Sequence, residues 1–198
     1  MGTAASGDSE LIRVTLVDYF TSEILLDSLV FPSVPMRDLR SRFSGVTWSE
    51  LNKARKARKC IFGRENARKA VWKFVGPNTI VVGHSAYNDL LALRWAHTTV
   101  VDTYYLDALQ PPKLDIKDAE DVKQASSDSN ENEPTATSAS GSEPKRGPKR
   151  PSPKSLKGMA LEKLGREIQT AGKQGHDSLE DAIATRDLAR WVVYNAQV

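Results

Sequence analysis

The sequence is poor in cysteine, in long apolar runs and in hydrophobic residues overall. Its 198 residues include one cysteine, Cys60, which excludes an internal disulfide and a disulfide-rich secreted scaffold. The hydrophobic fraction of 39% is low for a compact domain of average composition. No apolar run approaches the roughly 20 residues that cross a membrane, so we expect no membrane partner.

A polar segment accounts for the low hydrophobic fraction. Residues 113–154 are rich in Ser, Asp, Glu, Lys and Pro, and we predict that they form a disordered, low-complexity insert. The insert is acidic first and basic at its end. The basic end is either a solvated linker or a patch for nuclear localisation or RNA contact, and the second interpretation places the protein in the nucleus or nucleolus. A further basic cluster, residues 53–59, favours a polyanionic partner more than the net charge of +3 suggests.

The rest of the chain has the pattern of one α/β domain in two parts, residues 10–112 and 155–198, after an irregular N-terminus of residues 1–9. Short β-branched or alternating stretches predict strands, and apolar residues at helical spacing predict helices. The predicted strands are residues 11–17, 23–31, 79–82 and 99–101, and the predicted helices are residues 48–57, 65–75, 86–96, 156–164 and 178–194. The short link between the first two strands predicts an antiparallel hairpin, while the later strands alternate with helices and should be parallel.

The stretch TIVVGHSAYNDLLAL, residues 79–93, combines a buried strand, a turn and an amphipathic helix. Ser85 stands where an N-cap is expected, and Asp89 falls in the first helical turn. In open α/β sheets, ligands bind at the carboxyl ends of strands, which is where Asp89 is placed. Taken alone, an acid at this position is more often a complement to the helix dipole than a ligand.

The stretch HDSLEDA, residues 176–182, supplies a second group of titratable residues. Ser178 and Asp181 have the spacing of a capping box, which is the simplest interpretation of Asp181, and His176 in turn has the look of a solvated loop residue. The combination of a histidine and a first-turn carboxylate also suits hydrolysis of a phosphodiester. That reaction needs carboxylates for hard cations and a base for the attacking water.

Several blocks, in order, resemble the Rex-type RNA exonucleases of the DEDDh superfamily. The blocks are ELIRVTLVD (10–18), SRFSGVT (41–47), VVGHSAYNDLLAL (81–93), VVDT (100–103), SLKGMALEKLG (155–165) and HDSLEDA (176–182). The resemblance implies an RNase H-like mixed sheet flanked by helices and 3′→5′ hydrolysis of single-stranded RNA ends, in a group that includes ribosomal RNA trimming enzymes. It further implies two Mg²⁺ or Mn²⁺ ions.

The resemblance also assigns roles to individual residues. His176 corresponds to the general base, Asp181 to a direct metal ligand, and Asp89 to a residue that acts at the second metal through water. The turn containing His84 and Ser85 would line the substrate site, although a histidine after a buried strand more often satisfies a backbone carbonyl.

The chain departs from the family pattern at its first motif, a strand whose Asp and Glu are metal ligands. That strand falls upstream of residues 10–18, so we expect the central strand to be missing and the chain to be a truncated, inactive form of the enzyme. Asp8 and Glu10 have a suggestive spacing, but the residues around Asp8 form a turn, and we reject this pair as a replacement.

Two other functions remain open from the sequence. One is a non-catalytic RNA-binding or scaffold protein that has kept the fold and lost the first motif. The other is an unrelated small α/β domain in which Asp89 and Asp181 serve only as helix caps. The exonuclease and the non-catalytic RNA-binding protein differ in whether RNA is hydrolysed.

Overall fold

The computed structural model describes residues 1–108, 155–172 and 175–195. The predicted insert, residues 113–154, lies outside the described residues. The strands are β1 (Gly2–Ala4), β2 (Ser9–Glu10), β3 (Arg13–Val17), β4 (Ile24–Phe31), β5 (Met36–Asp38), β6 (Ile61–Phe62), β7 (Val81–Gly83) and β8 (Val100–Asp102). The helices are α1 (Ser41–Ser44), α2 (Trp48–Lys56), α3 (Arg64–Val71), α4 (Ala86–Ala92), α5 (Thr103–Ala108), α6 (Leu156–Leu164) and α7 (Ser178–Asn195). In these ranges no helix is long and apolar enough to cross a membrane.

The predicted hairpin is present as β3 and β4. The two strands are antiparallel, with Arg13 opposite Leu29, and β6 adds to the far edge of β4 in parallel. The turn is held by Asp18, whose Oδ1 accepts backbone N–H bonds from Phe20 at 2.9 Å and Thr21 at 2.7 Å. An Asx turn of this kind lets a short link reverse the chain.

The N-terminal residues, which we expected to be irregular, form strand β1. It pairs with β2 and with β5, both antiparallel. A Cβ on Gly2 would lie 2.9 Å from the backbone carbonyl oxygen of Asp38, so glycine suits this close approach of two strands. One of these partners, β2, lies across a tight turn from β1, and the other, β5, is distant in sequence; the three residues of β1 carry no strand pattern of their own.

The second pair of strands, β7 and β8, is parallel, as predicted, with Val81 opposite Val100. The strands of the described residues are divided among three small sheets, β2-β1-β5, β3-β4-β6 and β7-β8. No described strand joins β3 to β7, and helix α7 packs against both of them. The architecture is therefore the mixed α/β arrangement that the sequence predicts.

Three apolar clusters form the core. One lies between the hairpin, α3 and α4, one between α6 and α7, and one beneath β4, β5 and α2. Their fully buried members include Val30, Ala67, Met159, Ile168, Leu188, Ile12 and Leu51. Burying such side chains contributes about 1.5–3 kcal/mol each, which makes these clusters the main source of stability.

Two helices are shorter than predicted. Helix α3 ends at Val71 rather than at residue 75, and residues 72–75 form turns. Helix α4 ends at Ala92 rather than at residue 96. Helix α2, by contrast, begins with the expected N-cap: the Thr47 hydroxyl accepts from Glu50 N–H, and the Glu50 carboxylate accepts from Thr47 N–H. This reciprocal capping box fixes the start of α2.

Candidate active site

The turn between β7 and α4 is held by a carboxylate from the neighbouring strand. Asp102, at the end of β8, accepts hydrogen bonds from the backbone N–H groups of Ser85 at 2.8 Å and Ala86 at 2.9 Å. The expectation that Ser85 caps α4 with its own side chain is wrong, because Ser85 is left-handed (φ 57°) and its side chain makes no cap bond. The first N–H groups of α4 are instead satisfied across the β7–β8 pair.

His84 is fixed by a buried hydroxyl. Thr103 is fully buried, its Oγ1 donates to the Gly83 carbonyl at 3.2 Å, and the same oxygen lies 3.0 Å from Nδ1 of His84. Since the hydroxyl has a single proton, Nδ1 is the donor in the second bond and Nε2 is left as an acceptor. Burial lowers the pKa of His84, against the nearby charges of Asp102 and Asp181, so the ring is neutral at pH 7. Its binding partner inside the protein is therefore a side-chain hydroxyl.

Asp89 lies in the first turn of α4, as predicted. Burial of its carboxyl group raises the pKa of Asp89 to about 6, while the nearby N-terminal amino group opposes the shift and Asp102 adds to it. The residue as a whole nevertheless remains open to solvent. Water therefore reaches the residue and reduces the electrostatic cost of its charge.

His176 and Asp181 come together at the start of α7. Nδ1 of His176 lies 4.0 Å from Oδ2 of Asp181, which is too long for a hydrogen bond but close enough for mutual electrostatic influence. Burial raises the pKa of Asp181, while a hydrogen bond from Gln169 and the His176 ring lower it. The carboxylate is thus partly desolvated beside a histidine that is 39% exposed.

The backbone around His176 is anchored on the α1 turn. The His176 N–H donates to the Phe43 carbonyl at 2.9 Å, and the two rings meet edge to face with centroids 6.5 Å apart. Gly175 is buried with φ +84°, and a Cβ there would overlap Gly45 and lie 2.7 Å from the Ser41 carbonyl oxygen. Glycine is required at this point because two backbones touch.

Gln169 is a site residue that the sequence did not reveal. Its side-chain Nε2 donates to Oδ1 of Asp181 at 2.9 Å, and its backbone N–H donates to Glu180 at 2.8 Å. The predicted capping box of Ser178 and Asp181 is wrong, since the Asp177 side chain accepts from the Leu179 N–H and thereby caps α7. Asp181 is consequently free of a capping role and faces His176 and Gln169.

The predicted residues form two neighbouring groups, His84 with Asp89 and His176 with Asp181. The charges of Asp102 and Asp181 influence the pKa of His84, and the charge of Asp102 influences the pKa of Asp89. These residues therefore lie around the ends of β7 and β8. Within the described ranges no group of three His, Cys, Asp or Glu side chains could hold a metal ion. Asp89 and Asp181 offer the carboxylate oxygens that Mg²⁺ prefers, but they do not form a closed cage.

Asp8 and Glu10, which we rejected as metal ligands, are each engaged by an arginine. Asp8 pairs with Arg94 at 3.2 Å on the surface, and Glu10, only 2% exposed, pairs with Arg64 at 2.9 Å. Both carboxylates line a cavity of about 250 Å³ together with these arginines. Both acids are thus engaged by arginines, and their rejection as metal ligands stays a prediction.

Comparison with known proteins relates the chain to a family. The chain is 32% identical over 186 residues to an uncharacterized exonuclease of Schizosaccharomyces pombe, a match that covers 94% of the chain and 22% of that relative. It is 31% identical over 201 residues to RNA exonuclease 3 of Emericella nidulans, covering 91% of the chain and 26% of that relative. The chain belongs to the RNase H-like nucleases. No protein-family model matches it.

A solved structure supports the same fold for this RNase H-like nuclease. The exonuclease module of Pan2 from Saccharomyces cerevisiae, solved in complex with AAUUAA RNA, aligns with a TM-score of 0.60 at 20% identity. The alignment covers 93% of the chain and 24% of the Pan2 chain. The RNase H-like fold predicted from the sequence is confirmed. The chain spans about a quarter of the length of each of these three proteins.

Proposed function

We propose that this nuclease domain hydrolyses single-stranded RNA from its 3′ end, with Mg²⁺ or Mn²⁺ as cofactor. The observation that carries the proposal is the pairing of His176 with Asp181 at 4.0 Å, beside the turn that presents His84. An exposed histidine next to a partly desolvated carboxylate is the arrangement that a general base requires. The relatives named as RNA exonucleases and the RNA-bound Pan2 module support RNA as the substrate.

The chemistry assigned to the chain's own residues is a single proton transfer. His176 accepts a proton from a water molecule as the water oxygen bonds to the terminal phosphorus. The bond from phosphorus to the 3′ oxygen of the preceding nucleotide breaks, that oxygen takes up a proton, and a 5′-mononucleotide leaves. A divalent cation, when bound, would stabilise the phosphate charge; Asp181 would hold it directly, and Asp89 would act at a second cation through water.

We infer that the described residues alone catalyse this reaction slowly. They offer two carboxylates and no cluster of three ligating side chains, so they hold hard cations in poorly fixed geometry. The same observation favours the second candidate, a protein that binds RNA without hydrolysing it. A role in ribosomal RNA processing within the nucleus belongs to the proposal and rests on the family resemblance and the basic clusters.

The test separates the two functions by product and by binding. A single-stranded RNA labelled at its 5′ end is incubated with the chain in Mg²⁺, in Mn²⁺ and in EDTA. Hydrolysis from the 3′ end predicts a ladder that shortens one nucleotide at a time in Mg²⁺ or Mn²⁺ and stays intact in EDTA. His176→Ala and Asp181→Asn should abolish the ladder.

His97→Ala and Asp8→Asn serve as matched controls, because His97 bonds to the Thr79 carbonyl on the surface and Asp8 pairs with Arg94. Both should leave the ladder unchanged. If RNA binds in every condition and no metal-dependent product forms, the non-catalytic function is correct. If RNA neither binds nor shortens, both candidates are wrong.

A further inference from the structure

We propose that a second RNA-binding surface lies on α2 and the edge strand β6. The surface, called here the aromatic platform, consists of Phe31, Trp48, Arg55 and Phe62. It would bind the single-stranded body of an RNA whose 3′ end occupies the candidate active site, and in this it rests on the proposed function.

The rings of the aromatic platform form a continuous cluster. Phe31 and Phe62 are stacked, with an interplanar angle of 9° and centroids 5.8 Å apart. Trp48 meets Phe31 at 6.4 Å, and the Arg55 guanidinium lies 4.7 Å from the centre of the Phe31 ring. Phe62 is 53% and Trp48 46% exposed, so large apolar rings face solvent together. Clustered exposed rings of this kind mark a binding surface more often than isolated ones do.

The backbone beneath these rings is fixed. Phe31 and Phe62 are register partners in the parallel pairing of β4 and β6, and the Gly63 N–H donates to the Phe31 carbonyl at 2.8 Å. The Asn66 side chain donates to the Phe62 carbonyl at 2.7 Å. The rings are thus pre-oriented, which lowers the entropy that a ligand must overcome when it stacks on them.

The charge around the aromatic platform selects a polyanion. Residues 53–69 contain eight lysine or arginine residues and one acid, Glu65. Five of these cations are exposed or nearly so and form no ion pair with a carboxylate of the described residues: Lys53, Arg55, Lys56, Arg58 and Lys59. Exposed rings beside exposed cations are the features by which proteins hold single-stranded nucleic acid, because bases stack on the rings and phosphates pair with the charges.

The aromatic platform is connected to the candidate active site by a short stretch of chain. Phe43 contacts His176, and Gly45 lies against Gly175. Further along the same stretch, Trp48 is the first residue of α2. Four residues lie between Phe43 and Trp48, and the five Cα-to-Cα steps span at most roughly 17 Å. One RNA strand can therefore reach both regions, with Phe43, which is 57% exposed, between them.

The experiment measures RNA affinity without hydrolysis. Fluorescence anisotropy in EDTA compares a labelled dinucleotide with a labelled single strand of about 12 nucleotides, a length within the usual site sizes of stacking surfaces. Phe62→Ala and Arg55→Gln should each weaken binding of the long strand by about fivefold or more, the factor that corresponds to one lost stacked base. Dinucleotide affinity should not change.

Phe20→Ala is the matched control, since Phe20 is 82% exposed in the β3–β4 turn and far from the basic residues in sequence. It should bind both RNAs as the wild type does. Equal affinity of all variants for the long strand would overturn the proposal. So would an equal loss for a duplex of the same length, because paired bases cannot stack on protein rings. Since EDTA removes hydrolysis, a positive result stands even if the exonuclease proposal fails.

Discussion

Gln169 donates a hydrogen bond from its side-chain Nε2 to Oδ1 of Asp181 over 2.9 Å. The bond occupies one carboxylate oxygen and leaves Oδ2 facing His176. Gln169 has a left-handed backbone (φ 56°) and follows the fully buried Ile168, so its position is set by the core under α6 and α7. It acts on the candidate base only through Asp181 and is a positioning residue.

Gln169→Leu should raise the pKa of Asp181 further. The Gln169 bond stabilises the ionised carboxylate, and its removal leaves burial as the dominant influence on the pKa. Carboxyl-carbon NMR titration of Asp181 measures the change directly. Thr170→Ala, at the exposed next residue, is the control and should leave the titration where it is. An unchanged Asp181 titration in Gln169→Leu would show that the bond is absent in solution.

Asp89→Asn should stabilise the protein at pH 7 more than at pH 4. The pKa of Asp89 is about 6 in the fold, above the value of about 3.9 expected for the unfolded chain, so the folded state binds this proton more tightly. The contribution of Asp89 to stability is thus complete below pH 4 and is lost as the pH rises to about 6. Because solvent reaches the group, the gain is at most about 1 kcal/mol, or roughly 2–4 °C in Tm.

Thermal melts at both pH values test this prediction. Asp18→Asn provides a control of opposite sign, because hydrogen bonds from Thr21 lower the pKa of Asp18 and its loss should destabilise the protein at pH 7. A Tm of Asp89→Asn that stays below that of the wild type at pH 7 would contradict the assignment of a raised pKa.

Gly175→Ala should destabilise the fold strongly and detach the His176 loop. The added Cβ overlaps the Gly45 backbone, and the φ of +84° is unfavourable for alanine, so we expect a loss of about 3 kcal/mol or more. Gly7→Ala isolates the conformational part of the effect, since Gly7 has φ +92° and no described atom within 4 Å of the new Cβ. Its loss should be about 1 kcal/mol. Urea denaturation of the two variants measures the difference, and equal losses would mean that the two backbones do not touch.

Arg64→Ala should lower the free energy of unfolding, because it leaves the buried Glu10 carboxylate without its cation. Glu10 is 2% exposed and keeps Oε1 without a partner among the described residues, so removal of Arg64 leaves an uncompensated charge and costs about 3 kcal/mol at pH 7. Burial already raises the pKa of Glu10, and the variant should recover part of its stability as the pH falls and the carboxyl group takes a proton.

Arg94→Ala breaks the surface pair with Asp8 and is the natural comparison, with an expected change of no more than about 1 kcal/mol. Urea unfolding at pH 7 and pH 4.5 distinguishes the two. A pH-independent deficit in Arg64→Ala would indicate that lost packing, and not the Glu10 charge, dominates.

The parts of the fold that sequence reasoning predicts are those with local causes. The hairpin follows from two apolar strands and a short link. The start of α2 follows from the local capping box of Thr47 and Glu50. Helix α6 ends at Gly165, which takes the left-handed conformation expected of a C-terminal glycine. The positions of Asp89 and His176 likewise follow from their neighbours in the chain.

The parts that sequence reasoning missed depend on distant residues. Ser85 has the sequence position of an N-cap, but the backbone N–H groups of its turn donate to Asp102, which is 17 residues away. Gln169 reaches Asp181 across a loop and has no spacing that would single it out. Strand β1 pairs on one side with β5, which is distant in sequence. In each case the deciding partner is brought close by tertiary packing, which local propensity does not encode.

Helix α7 has a consequence for the way the domain opens. It packs against β3 in one sheet and β7 in another and carries Asp181 in its first turn. A fluctuation that lifts α7 therefore removes a packing layer from both sheets and disrupts the His176 region in the same event. Amide hydrogens of α7, β3 and β7 should then exchange with deuterium at one shared opening free energy, while those of β1 exchange independently.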